Sequence, residues 1–263
     1  MSLSDAELNR IFDAAGLFIG SVYSGSITVT GVIDAHSDTV ATLTLLATKP
    51  AMLVTFEGAA SAFNKGIVLQ GVGGVVLSES VTTKEQTTNI GTGTGTLTVV
   101  STKTFSTSNQ ILSITADDFD LQGTAGDSSI SSGTATTVIV ATSVDQTIGL
   151  GGTPKGMQIS DTEMALISTE GGLTIGDSNN GDITINALRD SSTDTFAVLT
   201  LKAQKATRTV TFATGASSFN KGVTIQTTAG VAVTESATTK QGTVLLNAGT
   251  GALAISSTKS LTT

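Results

Sequence analysis

Along this chain, apolar residues recur as short alternating triplets separated by glycine, asparagine, aspartate and serine. Leu17/Ile19, Ile27/Val29, Leu43/Leu45, Val54/Phe56, Ile67/Leu69 and Val75/Leu77 open the series, and Leu97/Val99, Leu112/Ile114, Phe119/Leu121 and Val138/Val140 continue it, with starts 7 to 22 residues apart. Period-two alternation over three to five residues, broken by turn formers, is the signature of short half-buried strands. Such strands cannot close a sandwich around so many small side chains. They can stack coil on coil, each coil hydrogen-bonded to its neighbours about 4.8 Å above and below, with inward aliphatic columns. The pattern therefore predicts an all-β fold, a single-stranded parallel β-helix (β-solenoid).

A longer period lies over the short one. Shifted by 156 positions, residues 3–107 align with residues 159–263 without a gap, and 46 of the 105 pairs are identical. "SAFNKG" at 61–66 returns as "SSFNKG" at 217–222, and "SESVTTK" returns as "TESATTK". A gapless duplication of this length predicts a rigid stack rather than domains on a linker. Residues 1–158 form the first solenoid unit (helix 4–15, coils 17–158), and 159–263 a second, incomplete unit continuous with it. Phe63 and Phe219 are expected inside, with Asn64-Lys65-Gly66 and Asn220-Lys221-Gly222 turning corners in which Asn and Gly supply positive φ. One short helix per 156-residue unit is expected from "SDAE" at 4–7 and "SDTE" at 160–163, which fit a capping box. Ile11 and Ile167 extend an amphipathic pattern until Gly16 and Gly172 stop it.

Composition narrows the partners. Charged residues make up 13% and aromatics 4%, beside 48 threonines and 29 glycines, so β-formers dominate and threonine is expected on outward strand positions. A net charge of −8 without a Lys/Arg cluster argues against nucleic acid, and no apolar run is long enough for membrane insertion by a helix. The absence of cysteine excludes disulfides and thiolate metal sites.

"ISDTEMALISTEGGLTIGDSNNGDITI" and "ILSITADDFDLQG" resemble the haemagglutination-type repeats of filamentous haemagglutinin-like proteins. These are very large secreted surface proteins whose repeats fold as right-handed parallel β-helices. The resemblance implies an extracellular or cell-surface location. The family's secretion domain with its Asn-Pro-Asn motifs has no counterpart here, and the period is longer than that family's one-coil repeats.

Little in the chain reads as a reaction centre, and an enzyme is not expected. His36 is the only histidine, its counterpart is Ser192, and it reads as a solvated corner residue. Carboxylate pairs recur at Asp34/Asp38 and Asp190/Asp194, as do Glu79 and Glu235, a pattern that polysaccharide cleavage could use. The simpler reading is turn capping. Asp117, Asp118 and Asp120 are the candidate metal ligands, for calcium, without EF-hand spacing. No other cofactor is expected. "GTGTGT" at 91–96 lacks the following helix that a phosphate site needs. Thr42/Thr44, Thr96/Thr98 and Thr209/Thr211 raise a minor alternative, an ice-binding face.

The function expected is that of a non-enzymatic building block of an extracellular stalk, fibre or filament. Open end coils would pair with other copies of the chain or with flanking repeats. The alternative is a β-helix module that binds or cleaves extracellular polysaccharide.

Overall fold

The computed structural model describes residues 4–124 and 126–263 as a parallel β-solenoid of about ten coils. The first face is one ten-stranded sheet, running from Leu17–Ser21 through Leu43–Ala47, Ile67–Gly71, Thr88–Gly91, Leu112–Ala116 and Thr137–Ala141. It continues through Leu173–Ile175, Leu199–Ala203 and Val223–Thr227 to Val244–Asn247. This sheet passes from the first copy of the repeat into the second without a break: Thr137 pairs Leu173 and Ile139 pairs Ile175, in parallel. The second face runs from Ile27–Val29 to Ala252–Ile255, and the third carries Ser61–Phe63 near one end and Leu261–Thr262 at the other.

Inward positions form the columns that the alternation predicts, except in Thr137–Ala141: there Val138 and Val140 lie on the outer face, because the register with Ile114 and Ile175 puts Ile139, fully buried, in the inward place. Val54, Val75 and Leu97 are register partners on the second face and fully buried, and Leu45 and Leu69 do the same on the first. Each such side chain contributes about 1.5–3 kcal/mol of burial. Phe56 and Phe63 meet edge to face with centroids 6.3 Å apart, and Phe212 and Phe219 repeat the pair at 6.3 Å. The duplication is thus reproduced in three dimensions.

The "SAFNKG" corner works differently from the expectation. Phe63 and Phe219 are buried, but neither Asn64 nor Gly66 has positive φ. Gly66 is required by close approach instead: a Cβ there would stand 2.2 Å from the Thr87 carbonyl oxygen of the next coil. Lys65 Nζ donates to the carbonyls of Asp38 at 2.7 Å and Val40 at 3.1 Å, tying its corner to the coil before. Lys221 repeats the bond to the Asp194 carbonyl at 3.2 Å.

The helix expected over 4–15 is a single turn, Asp5–Leu8, and its counterpart is Asp161–Met164. Both capping boxes are present. The chain leaves the helix early because the following apolar residue has a better use. Ile167, fully buried, begins a strand, Ile167–Thr169, that pairs with Ile130–Gly133 on the third face, and Asp13 bridges to Val40 in the first copy. Threonine also departs from its expected outward role. Thr83, Thr88, Thr107, Thr137 and Thr169 are buried at inner corners, where Thr83 and Thr88 share a 2.7 Å hydroxyl bond. A corner frees polar backbone groups, and threonine brings a hydroxyl for them and a methyl for the core.

One strand breaks the succession of coils. After Ile148–Gly151 the chain folds back and lays Met157–Ile159 parallel to it, Ile148 opposite Met157, on the side facing Asp118–Leu121. The second face therefore holds one more strand than the first at this level.

Candidate functional site

Four of the recurring carboxylates act between coils, whereas Asp38 and Asp194 enter through their backbone carbonyls, which accept from Lys65 and Lys221. Asp34 meets Lys84 at 3.0 Å, and Glu79 meets Lys103 at 2.8 Å. In the second copy Asp190 pairs with Lys240, and Glu235 meets Lys259 at 2.8 Å. Each pair spans 24 or 50 residues of sequence, so each clamps separate coils together. Such half-exposed pairs contribute up to about 1 kcal/mol each, and their repetition matters more than any one of them.

His36 is half-buried rather than solvated: its Nδ1 lies 2.5 Å from Asp5 Oδ2, while Asp5 Oδ1 accepts from the Ile33 amide at 2.9 Å. The second copy keeps the aspartate and changes the partner. Asp161 accepts from the Arg189 amide at 2.8 Å and from its Nε at 2.7 Å. An interaction preserved across a change from imidazole to guanidinium asks only for a donor, so its part here is to hold the capped turn on the coil above. Within that turn, backbone and side-chain hydrogen bonds from Ser4 hold the Glu7 carboxyl below its ordinary pKa, with Arg10 adding to the effect.

Asp117, Asp118 and Asp120 are not brought together as ligands. Asp117 accepts from Gln146 Nε2 at 3.1 Å, Asp120 from Gln122 Nε2 at 2.7 Å, and Asp118 from the Gln158 amide at 2.9 Å. Phe119 and Leu121 point inward between them. Asp118 thus stitches the extra strand Met157–Ile159 to the coil beneath it. Among the described residues no group of three or more His, Cys, Asp or Glu is placed to hold a metal ion. "GTGTGT" leads into the strand Thr96–Val99 with no helix after it. Outward threonines on the second face are interrupted, since Thr28 and Thr55 are followed in register by Val76, Thr98 and Asp120.

A cluster that the sequence did not announce joins Asp145, Lys205 and Arg208. Lys205 Nζ and Arg208 Nη2 both reach the Asp145 carboxylate, the latter at 2.7 Å, and these two hydrogen bonds, Lys205 first, lower its pKa. Asp145 lies in the unduplicated stretch 108–158, and Met52 stands where the second copy has Arg208. No local spacing could have linked residues about 60 apart.

A concavity lies at the first coil. A cavity of about 950 Å³ opens between the turn Asp5–Leu8 and the strand Ile27–Val29, and Leu8, Ile19, Ile27 and Val29 line it. The same place in the second copy is filled by Ile148–Gly151, which pairs in register with Ile183–Asn186 and packs on Asp161–Met164.

No protein-family model matches the chain, and no curated protein or solved structure matches it, so the resemblance to filamentous haemagglutinin-like repeats rests on the quoted segments and on the parallel β-solenoid.

Proposed function

We propose that this chain is a non-enzymatic structural building block of an extracellular stalk, fibre or filament, acting as a stiff spacer through coil stacking. The observation that carries the reading is the uninterrupted ten-stranded sheet crossing from one repeat copy to the next. Every coil shares a hydrogen-bonded ladder with its neighbours, so bending the shaft means breaking several bonds at once. The inter-coil clamps and the aliphatic columns act in the same direction. Small-angle scattering of the monomer tests it: nine coil spacings on the first face predict a shaft of roughly 45 Å. A scattering profile of two separate globules would remove the reading.

A second reading, polysaccharide binding, is favoured by the exposed aromatics Phe12, Phe18 and Tyr23 around the first coil, since sugars stack on such rings. A glycan array, together with release of reducing sugar from extracellular polysaccharides, tests binding and cleavage separately.

A further inference from the structure

Building on the scaffold reading, we infer that the cavity beside the first coil is the receptor for a β-strand, and that its occupant is Ala252–Ile255 of a second copy of this chain. The second copy of the repeat shows what the space accepts. There Ile148–Gly151, large-small-large-small, lies parallel to Ile183–Asn186 with Ile148 and Leu150 fully buried. Ala252–Ile255 offers the alternation one residue out of phase, small-large-small-large, and its register with Val231 and Val233 sets Leu253 and Ile255 inward. On the side away from Gly230–Val233 it has no strand partner among the described residues, and Leu253 and Ile255 are each 48% exposed. Their counterparts Leu97 and Val99 are fully buried. Extending the observed registers places Leu253 over Ile27 and Ile255 over Val29.

The neighbouring face makes an independent case. Continuing the first sheet in the same register sets Val244, Leu245 and Leu246 on Leu17, Phe18 and Ile19. Phe18 and Leu245 then become outward neighbours. Both point away from the core, 68% and 59% exposed, and the other copy has Thr174 and Asn89 at these positions. Large apolar side chains on a solvated face are explained when each covers the other. Only residues 256–263 lack room, because residues 11–13 already hold that level of the third face; the strand there, Leu261–Thr262, is two residues long and gives way. The contact is heterologous, so it propagates.

The chain has no cysteine, which makes cross-linking unambiguous. A double variant, Phe18→Cys with Leu245→Cys, oxidised with diamide, is expected to give a reducible ladder of dimers, trimers and higher species, since adjacent strands lie within disulfide reach. Each single variant stops at dimers. Phe18→Thr and Leu245→Asn, which import residues the fold already carries at the equivalent positions, should each weaken association in sedimentation velocity by at least about tenfold. Removing residues 257–263 should leave association intact. A protein that stays monomeric, a double variant without a ladder, or association indifferent to Phe18→Thr would overturn the joint. Loss of glycan binding in Phe18→Thr with unchanged association would also overturn it, in favour of a sugar site. Any of these with a scattering profile that still reports the shaft leaves the scaffold reading standing.

Discussion

Leu97 and Leu253 hold the same place in their two repeat copies, each inward on the second face, yet one is fully buried and the other 48% exposed. Asp118–Leu121 lies over Leu97, whereas Leu253 is paired on one side only. The inward register agrees, and so do the flanking turns, with Gly93 and Gly249 at φ 55° and 62° and Thr102 and Thr258 at φ 67° and 69°, so the difference follows the neighbouring coil. In a solenoid a residue's energetic weight is set by the coil that covers it, and duplication places the same letter in both situations within one molecule.

The largest effect expected follows from this pair. Leu97→Ala should cost about 2–5 kcal/mol, as buried leucine truncations do, and Leu253→Ala about 1 kcal/mol or less, because half its surface is already wet. Urea unfolding of the two variants gives the difference directly. Equal losses would mean that Leu253 is covered in solution. Dilution would then decide whether a second copy covers it.

Close approach between coils gives the next contrast. Gly66→Ala would set a methyl 2.2 Å from the Thr87 carbonyl oxygen, whereas at Gly222 the nearest backbone atom, the Thr243 oxygen, stands 2.9 Å away. Backbone cannot move aside as a side chain does, so Gly66→Ala should cost about 1–3 kcal/mol and Gly222→Ala less. Thermal unfolding of both variants checks the order.

A smaller contrast concerns backbone strain. Gly58 has φ 76° and its counterpart Thr214 has φ 68°. A β-branched residue in this left-handed region carries strain of order 1–3 kcal/mol, and glycine relieves it at the expense of a floppier unfolded chain. Thr214→Gly should therefore raise stability by about 1 kcal/mol and Gly58→Thr lower it by a similar amount, read from the same melts.

These contrasts also show how much the letters alone could carry. The coils, the parallel stack, the inward phenylalanines and both capping boxes follow from periodicity and from duplication, which are local or self-comparing signals. Several features escaped them. The helix ends after one turn because Ile167 gains more in a ladder with Ile130 than in a second helical turn. Two of the three residues of the strand Met157–Ile159 lie in the stretch that has no second copy, so the alignment did not expose it. The buried corner threonines use hydroxyl partners that alternation cannot show. The candidate site was less legible still. The acids were found as recurring letters, but their lysines lie a coil or more away, and Asp117, Asp118 and Asp120, adjacent in sequence, serve three different neighbours.

The smallest effect belongs to an ionic cluster that the two copies do not share. Lys205 and Arg208 hold the Asp145 carboxyl below its ordinary value, while in the first copy Met52 replaces the arginine. A carboxyl whose folded pKa is depressed binds protons less readily than the unfolded chain does. Its stabilising contribution is therefore complete above the unfolded value of about 3.9 and drains away as pH falls from there through the lowered folded pKa. Asp145 has φ 64°, a conformation that asparagine also tolerates, so Asp145→Asn removes the charge without adding backbone strain. Melting temperatures of the wild type and of Asp145→Asn should differ slightly between pH 5 and 7 and converge as pH drops below about 4. Lys49→Met, which removes the first-copy counterpart of Lys205, should show no such convergence. A gap between wild type and Asp145→Asn that persisted at low pH would locate the effect in packing rather than in charge, and the two copies would then differ in shape, not in electrostatics.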